Sequence, residues 1–224
     1  RGARNIIASQ MNDSLDIDCF NLSYPGSNIE FHTFLLDNLI KFNEKPKTVM
    51  LLIDHTQQVQ SNTGINFRLD RLYPLIKYPE IRDELVKREG KNWLITELFI
   101  INQLNKSSFN LKKKNFTAID TMLTCGSMPI SYQKSNCPWE YDQDKEYDRK
   151  LESKVKIASF KKFQKLCKDN GIHLLFVFSP NYSVLTTSFI ARIKELSLPE
   201  VDFYQYDNLE IRYLDTSYYY DETH

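Results

Sequence analysis

The sequence carries no excess charge of either sign. Its 29 Lys and Arg balance 29 Asp and Glu, so the basic face that a nucleic-acid partner requires is missing. The single tight basic run, Lys112-Lys113-Lys114, reads as a solvated loop or helix end. No apolar run reaches the length of a membrane span, and no signal peptide is visible. The four cysteines, Cys19, Cys125, Cys137 and Cys167, form no C-x-x-C pair and no zinc spacing. No Walker or G-x-G-x-x-G loop is present, which removes the usual phosphate cradles. Internal repeats and low-complexity segments are absent too. At 224 residues the chain suits one domain with a sizeable core, or a domain plus an insertion.

What is present is an alternation of helix-like and strand-like stretches. Residues 2–11 read as a short helix with Ile6, Ile7 and Met11 on its apolar face, broken by Asn12-Asp13-Ser14. Residues 17–22 read as a strand that ends in Ser23-Tyr24-Pro25-Gly26, which is turn chemistry. Ser27 and Glu30 have the spacing of a capping box. The helix behind them, carrying Ile29, Leu35, Leu36, Leu39 and Ile40, should stop before Pro46. Residues 48–53 form a continuous apolar run, as expected for a central strand of a parallel sheet.

Residues 54–144 are irregular and read as an insertion over one end of the sheet. One or two helices are expected between Pro79 and Leu104, with Gly90 dividing them. Long insertions of this kind often act as lids or binding loops. Cys125 and Cys137 fall in one loop-like part of it and could pair in an oxidising compartment. Residues 145–169 read as a charged helix with Leu151, Val155, Ala158 and Leu166 inward, a solvated charged face, and Gly171 as its C-cap. A second apolar strand follows over 172–178, ended by Ser179-Pro180. A helix over 184–196 and a short strand over 201–204 precede the terminal loop. Cys19 in its strand and Cys167 on its helix are expected to be buried.

Strands alternating with helices argue for an open α/β sheet with helices on both faces. Ligands of such sheets bind beyond the carboxyl ends of the strands. Gly26, Asp54 and His55, Ser179, and the terminal Asp221-Glu222-Thr223-His224 all follow expected strands, so all should lie on that edge. An aspartate three residues before a histidine can orient the imidazole while its other nitrogen takes a proton from a hydroxyl. Gly26 opens a helix, where N–H groups and the helix dipole favour negative charge. His55, Asp54 and Ser179 are candidates to line the site. Ser27 is needed by the helix backbone in the capping-box reading, and His32 and His173 read as structural. Tyr218, Tyr219 and Tyr220 read as packing residues, with stacking on a carbohydrate ring as the alternative.

The order of elements resembles the SGNH, or GDSL-like, hydrolase superfamily over nearly the whole chain. Residues 20–27 resemble the family's second block, whose glycine donates a backbone N–H to the oxyanion hole. Residues 171–180 resemble the strand before the final segment. Asp221-Glu222-Thr223-His224 is similar to the last block, D-x-x-H. The resemblance implies a single three-layer, flavodoxin-like α/β domain over 1–224, with 54–144 as a partly helical insertion or cap. It implies His224 as base, Asp221 as its orienting partner and Gly26 as oxyanion donor. It also implies an ester hydrolase or O-acyltransferase acting on acyl esters, with O-acetylated glycans as one substrate class.

No metal or organic cofactor is implied. The family's G-D-S-like serine motif is absent, and Arg1-Gly2-Ala3-Arg4 is similar to the sequence that directly follows it. The nucleophile is therefore expected ahead of Arg1. A location outside the cytoplasm, or a membrane anchor through an upstream segment, is compatible with this. The family's G-x-N-D block is replaced by Asp54-His55-Thr56-Gln57, so another donor serves the oxyanion or the hole is weaker. A non-catalytic SGNH-like binding or assembly module for polysaccharide is the alternative function.

Overall fold

The structure, a computed structural model, describes residue 3 and residues 6–53, 55–61, 64–90, 122–129, 146–179, 187–206 and 215. The chain divides into two compact units, one of Arg1–Asn66 with Thr117–His224 and one of Phe67–Phe116. The second falls inside the stretch expected as an insertion.

The first unit is a mixed α/β arrangement built on a small open sheet. Its strands β1 (Thr48–Leu52), β2 (His173–Phe178) and β3 (Asp202–Gln205) are all parallel, in the order β1-β2-β3. Thr48 pairs with His173, and Leu175 with Asp202. Parallel neighbours need crossover connections. The described helices of this unit are α1 (Ala8–Leu15), α2 (Ile29–Phe42), α4 (Lys154–Asp169) and α5 (Thr187–Leu196). Within the second unit, α3 (Pro79–Glu89) starts on a proline at its first position and buries Ile81 and Leu85. Tyr73 donates to Glu89, and the Arg88 guanidinium lies 3.6 Å over the Phe67 ring.

The core of the first unit is aromatic. Phe160 of α4 meets Phe176 of β2 at 5.2 Å, and Phe178 stacks on Phe203 at 6.2 Å. Phe189 and Ile193 of α5 and Ile29 and Leu36 of α2 complete it. The Thr33 hydroxyl lies 2.7 Å from Ile29 O and 3.0 Å from Ser159 O, which ties α2 to α4. Behind α4 the chain closes as expected at Gly171. Its positive φ of 66° lets Gly171 N–H reach Lys168 O and Ile172 N–H reach Cys167 O, the two bonds of a Schellman ending.

Four expectations are corrected. The buried side of α4 is Lys156, Phe160, Phe163, Gln164 and Cys167, whereas Leu151, Val155 and Ala158 are exposed. Phenylalanines at 160 and 163 bury more area than the aliphatic stripe would, so they decide the rotation of the helix. Residues 17–22 form no strand, because their polar groups are taken elsewhere: Cys19 N–H by Asn12 Oδ1, Asn21 N–H by Cys125 O, and Ser23 N–H by Asn21 Oδ1. Asn12-Asp13-Ser14 lie inside α1, which ends at Leu15 with Asp16 in the left-handed region. Among the described residues, β1 is an edge strand with Met50 exposed, and β2 is the central one. No described helix is long and apolar enough to cross a membrane.

Candidate functional site

The carboxyl edge of the sheet is set by β1 and β2 running out side by side. Ile53 N–H donates to Val177 O at 2.8 Å, so the residues just beyond both strands share one edge. On the β1 side stands His55. Its Nδ1 accepts from Gln57 N–H at 3.0 Å and starts a 3₁₀ turn over Thr56–Gln58. An Nδ1 that accepts leaves the proton on Nε2 in the neutral ring. His55 is exposed and, in this tautomer, a donor rather than a base.

The turn after His55 is held from beneath by α4. Lys156 is buried, and its ammonium donates to Gln57 O at 2.8 Å and Gln60 O at 2.9 Å. Desolvation pulls its pKa below the ordinary lysine value, partly opposed by Glu30. An antiparallel bridge joins Gln60 to Glu152, with Ser61 N–H on Leu151 O and Ser153 N–H on Val59 O. Charge patterning along 145–169 gave no sign that this lysine would turn inward. Only the free carbonyls of the turn explain it.

On the β2 side stands Ser179. It is 6% exposed, and its Oγ has no hydrogen-bond partner among the described residues. Among the described residues only the Asn38 Oδ1 shares that condition. Proposals for Asp54, Asp221, His224 and Tyr218 to Tyr220 lie outside the described residues, so the meeting of Gly26 with Asp221 and His224 does too.

The turn before α2 departs from the capping-box expectation. The N-cap is Asn28, whose side chain accepts from Phe31 N–H at 3.0 Å and donates to Glu30 at 3.3 Å. Ser27 instead donates its hydroxyl to Tyr24 O at 2.6 Å and lies 2.7 Å from His32 Nε2. A carbonyl only accepts, so the serine proton points at Tyr24, and His32 must supply the proton of the second bond. Ser27 and His32 therefore form a donor chain that clamps the turn. They are not a nucleophile with its base. Gly26, with φ 73°, is exposed. Its carbonyl accepts from Asn66 N–H at 2.8 Å, and its N–H has no partner among the described residues.

The amino edge holds a pair that sequence separation hid. His173 Nε2 and Asp202 Oδ2 are 2.7 Å apart across β2 and β3, both exposed. His173 borders a cleft of about 340 Å³ lined by Cys167, Ile172, Leu174, Leu198 and Val201. Burial pushes the Cys167 thiol up to about 11, so it stays protonated at neutral pH.

No described cluster of His, Cys, Asp and Glu could hold a metal ion. No protein-family model, curated protein or solved structure matches the chain.

Proposed function

We propose that this protein is an SGNH-type ester hydrolase or O-acyltransferase acting on acyl esters, with O-acetylated glycans as the substrate class. The observation that carries the reading is Gly26. It is an exposed residue whose backbone N–H has no partner among the described residues, two residues ahead of the Asn28 cap of a 14-residue helix. Such a donor suits the negative oxygen of a tetrahedral intermediate. Ser27 and His32 keep the turn that presents it in one conformation.

The finer architecture we propose is the three-layer, flavodoxin-like sheet. Its support is the uninterrupted parallel order β1-β2-β3, which matches one side of such a sheet. In this reading a serine ahead of Arg1 attacks the acyl carbonyl, and its proton passes to His224. Asp221 holds His224 in the right tautomer, and the Gly26 N–H takes the developing charge. The serine oxygen forms the new ester bond as the alcohol leaves with the proton from His224. Water, or an acceptor hydroxyl in a transferase, then releases the acyl group.

A form extended ahead of Arg1 should hydrolyse p-nitrophenyl acetate. His224→Ala should lower its kcat by about 10³-fold or more, since only the oxyanion donors and binding remain. Equal turnover by the two would remove the catalytic reading. A polysaccharide-binding module on the same fold would then stand in its place.

A further inference from the structure

Helix α1 begins without a cap of its own, because Ile7 at its N-cap makes no side-chain bond. A distant loop supplies the missing acceptors. Ala8 N–H donates to Ser127 Oγ at 2.9 Å, and the Ser127 hydroxyl donates to Ile6 O at 2.9 Å. The Cys125 thiol of the same loop lies within hydrogen-bonding reach of the backbone and hydroxyl groups of both Ser127 and Ser9. These donors, together with the positive end of α1, favour a thiolate. They hold the Cys125 thiol below its ordinary value against the opposing effect of desolvation.

A second cysteine lies two residues before the segment that pairs with Cys125. Asn21 N–H donates to Cys125 O at 2.8 Å, so residues 19–21 run directly against 125–126. The fit is tight enough that a Cβ on Gly126 would stand 2.0 Å from Asn21 O. Cys19 is held above its ordinary value, first by desolvation and then by the charge of Cys125, which it is near enough to feel. Both thiols are free and partly exposed. Cys125 is a free thiol, so it does not make the pairing with Cys137 that the sequence allowed, and Cys137 lies outside the described residues.

We propose that Cys125 is a peroxide-reactive thiol and that Cys19 resolves it as an intramolecular disulfide. The inference is independent of the proposed hydrolase. The Cys125 sulfur attacks one oxygen of a hydroperoxide; the S–O bond forms as the O–O bond breaks, and hydroxide leaves and is protonated to water. Cys125 is oxidised to a sulfenic acid and the peroxide is reduced. The Cys19 sulfur then gives up its proton and attacks the Cys125 sulfur. The S–S bond forms as the S–O bond breaks, and the hydroxide leaves with that proton as water. Two thiols and hydrogen peroxide become one disulfide and two waters.

The test uses the reduced 224-residue chain, one equivalent of hydrogen peroxide, and tryptic mapping without reduction. Cleavage after Arg4, Lys41, Lys114 and Lys134 places Cys19 in peptide 5–41 and Cys125 in peptide 115–134. A mass equal to those two peptides joined is the expected product. In Cys19→Ser the sulfenic acid should persist on Cys125 and be trapped by dimedone. Iodoacetamide at pH 7 should label Cys125 about tenfold faster than Cys19. Ser9→Ala should slow that labelling with an unchanged melting temperature. Linkage of Cys125 to Cys137 or Cys167, crosslinked dimers as the main product, or equal labelling of Cys19 and Cys125 would each overturn the proposal.

Discussion

Ser179, just past the end of β2, has a buried hydroxyl with no hydrogen-bond partner among the described residues. An unpaired buried polar group of this kind costs about 1–3 kcal/mol. Ser179→Ala should therefore leave the urea midpoint unchanged or raise stability by about 1 kcal/mol. A clear loss of stability would mean that the hydroxyl is bonded in solution. At the turn before α2, chemistry and position come apart. The start of the helix was legible in the Ser27-to-Glu30 spacing, but the cap falls to Asn28. Local spacing could not show that Ser27 would be claimed by Tyr24 O and His32 through space. The tautomers of His32 and His55 follow from their neighbours in the same way, and no property of either residue alone sets them.

At the scale of elements, α4 does two things with one face. Phe160 and Phe163 face the core, and Lys156, one turn before Phe160, fastens the turn that follows β1. A buried ammonium is tolerable only when its donors are matched. Here two backbone carbonyls take two of its three N–H groups. Lys156→Met keeps the stem and removes the donors, leaving the carbonyls of Gln57 and Gln60 short of a partner. A loss of about 2 kcal/mol is expected. Hydrogen exchange at Val59 and Gln60, whose N–H groups close the turn on Thr56 O, should speed up in the same variant. Unchanged exchange with unchanged stability would show that the clamp contributes nothing. The charged stretch 145–169 made the helix recognisable, although it begins only at Lys154, behind the Ser153 cap. Its inward lysine was not recognisable, because only the fold brings unpaired carbonyls to that position.

Across the whole first unit, an ionic network joins the segment before α4 to α5. Arg192 holds Glu152 through two bonds of 2.8 and 2.9 Å, and Tyr147 donates to the same carboxylate at 3.0 Å. Arg192 and Arg149 also pair with Glu195. The Arg192 bonds keep the Glu152 carboxyl below its ordinary 4.5, while burial first and then Glu152 push the Tyr147 hydroxyl up. A depressed carboxyl stabilises the fold above its unfolded pKa, and that stabilisation is lost as pH falls through the folded value. Urea titrations should show stability falling on acidification below about pH 4.5, and Glu152→Gln should flatten that limb at a cost of about 2 kcal/mol at pH 7. An acid limb of the same steepness in the variant would assign it to other carboxylates. By itself the sequence determined the alternation of elements, the two apolar strands, the α4 ending at Gly171 and the helix behind Gly26. Periodicity, apolar runs and turn residues act over a few positions, so they can be read along the chain. The tertiary structure decided that β2 and not β1 is central among the described strands, that residues 17–22 are no strand, and that the segment carrying Cys19 runs against the loop carrying Cys125. It also decided that Lys156 turns inward and Ser179 is left unpaired, because each depends on which hydrogen-bonding groups and aromatic surfaces distant segments bring together.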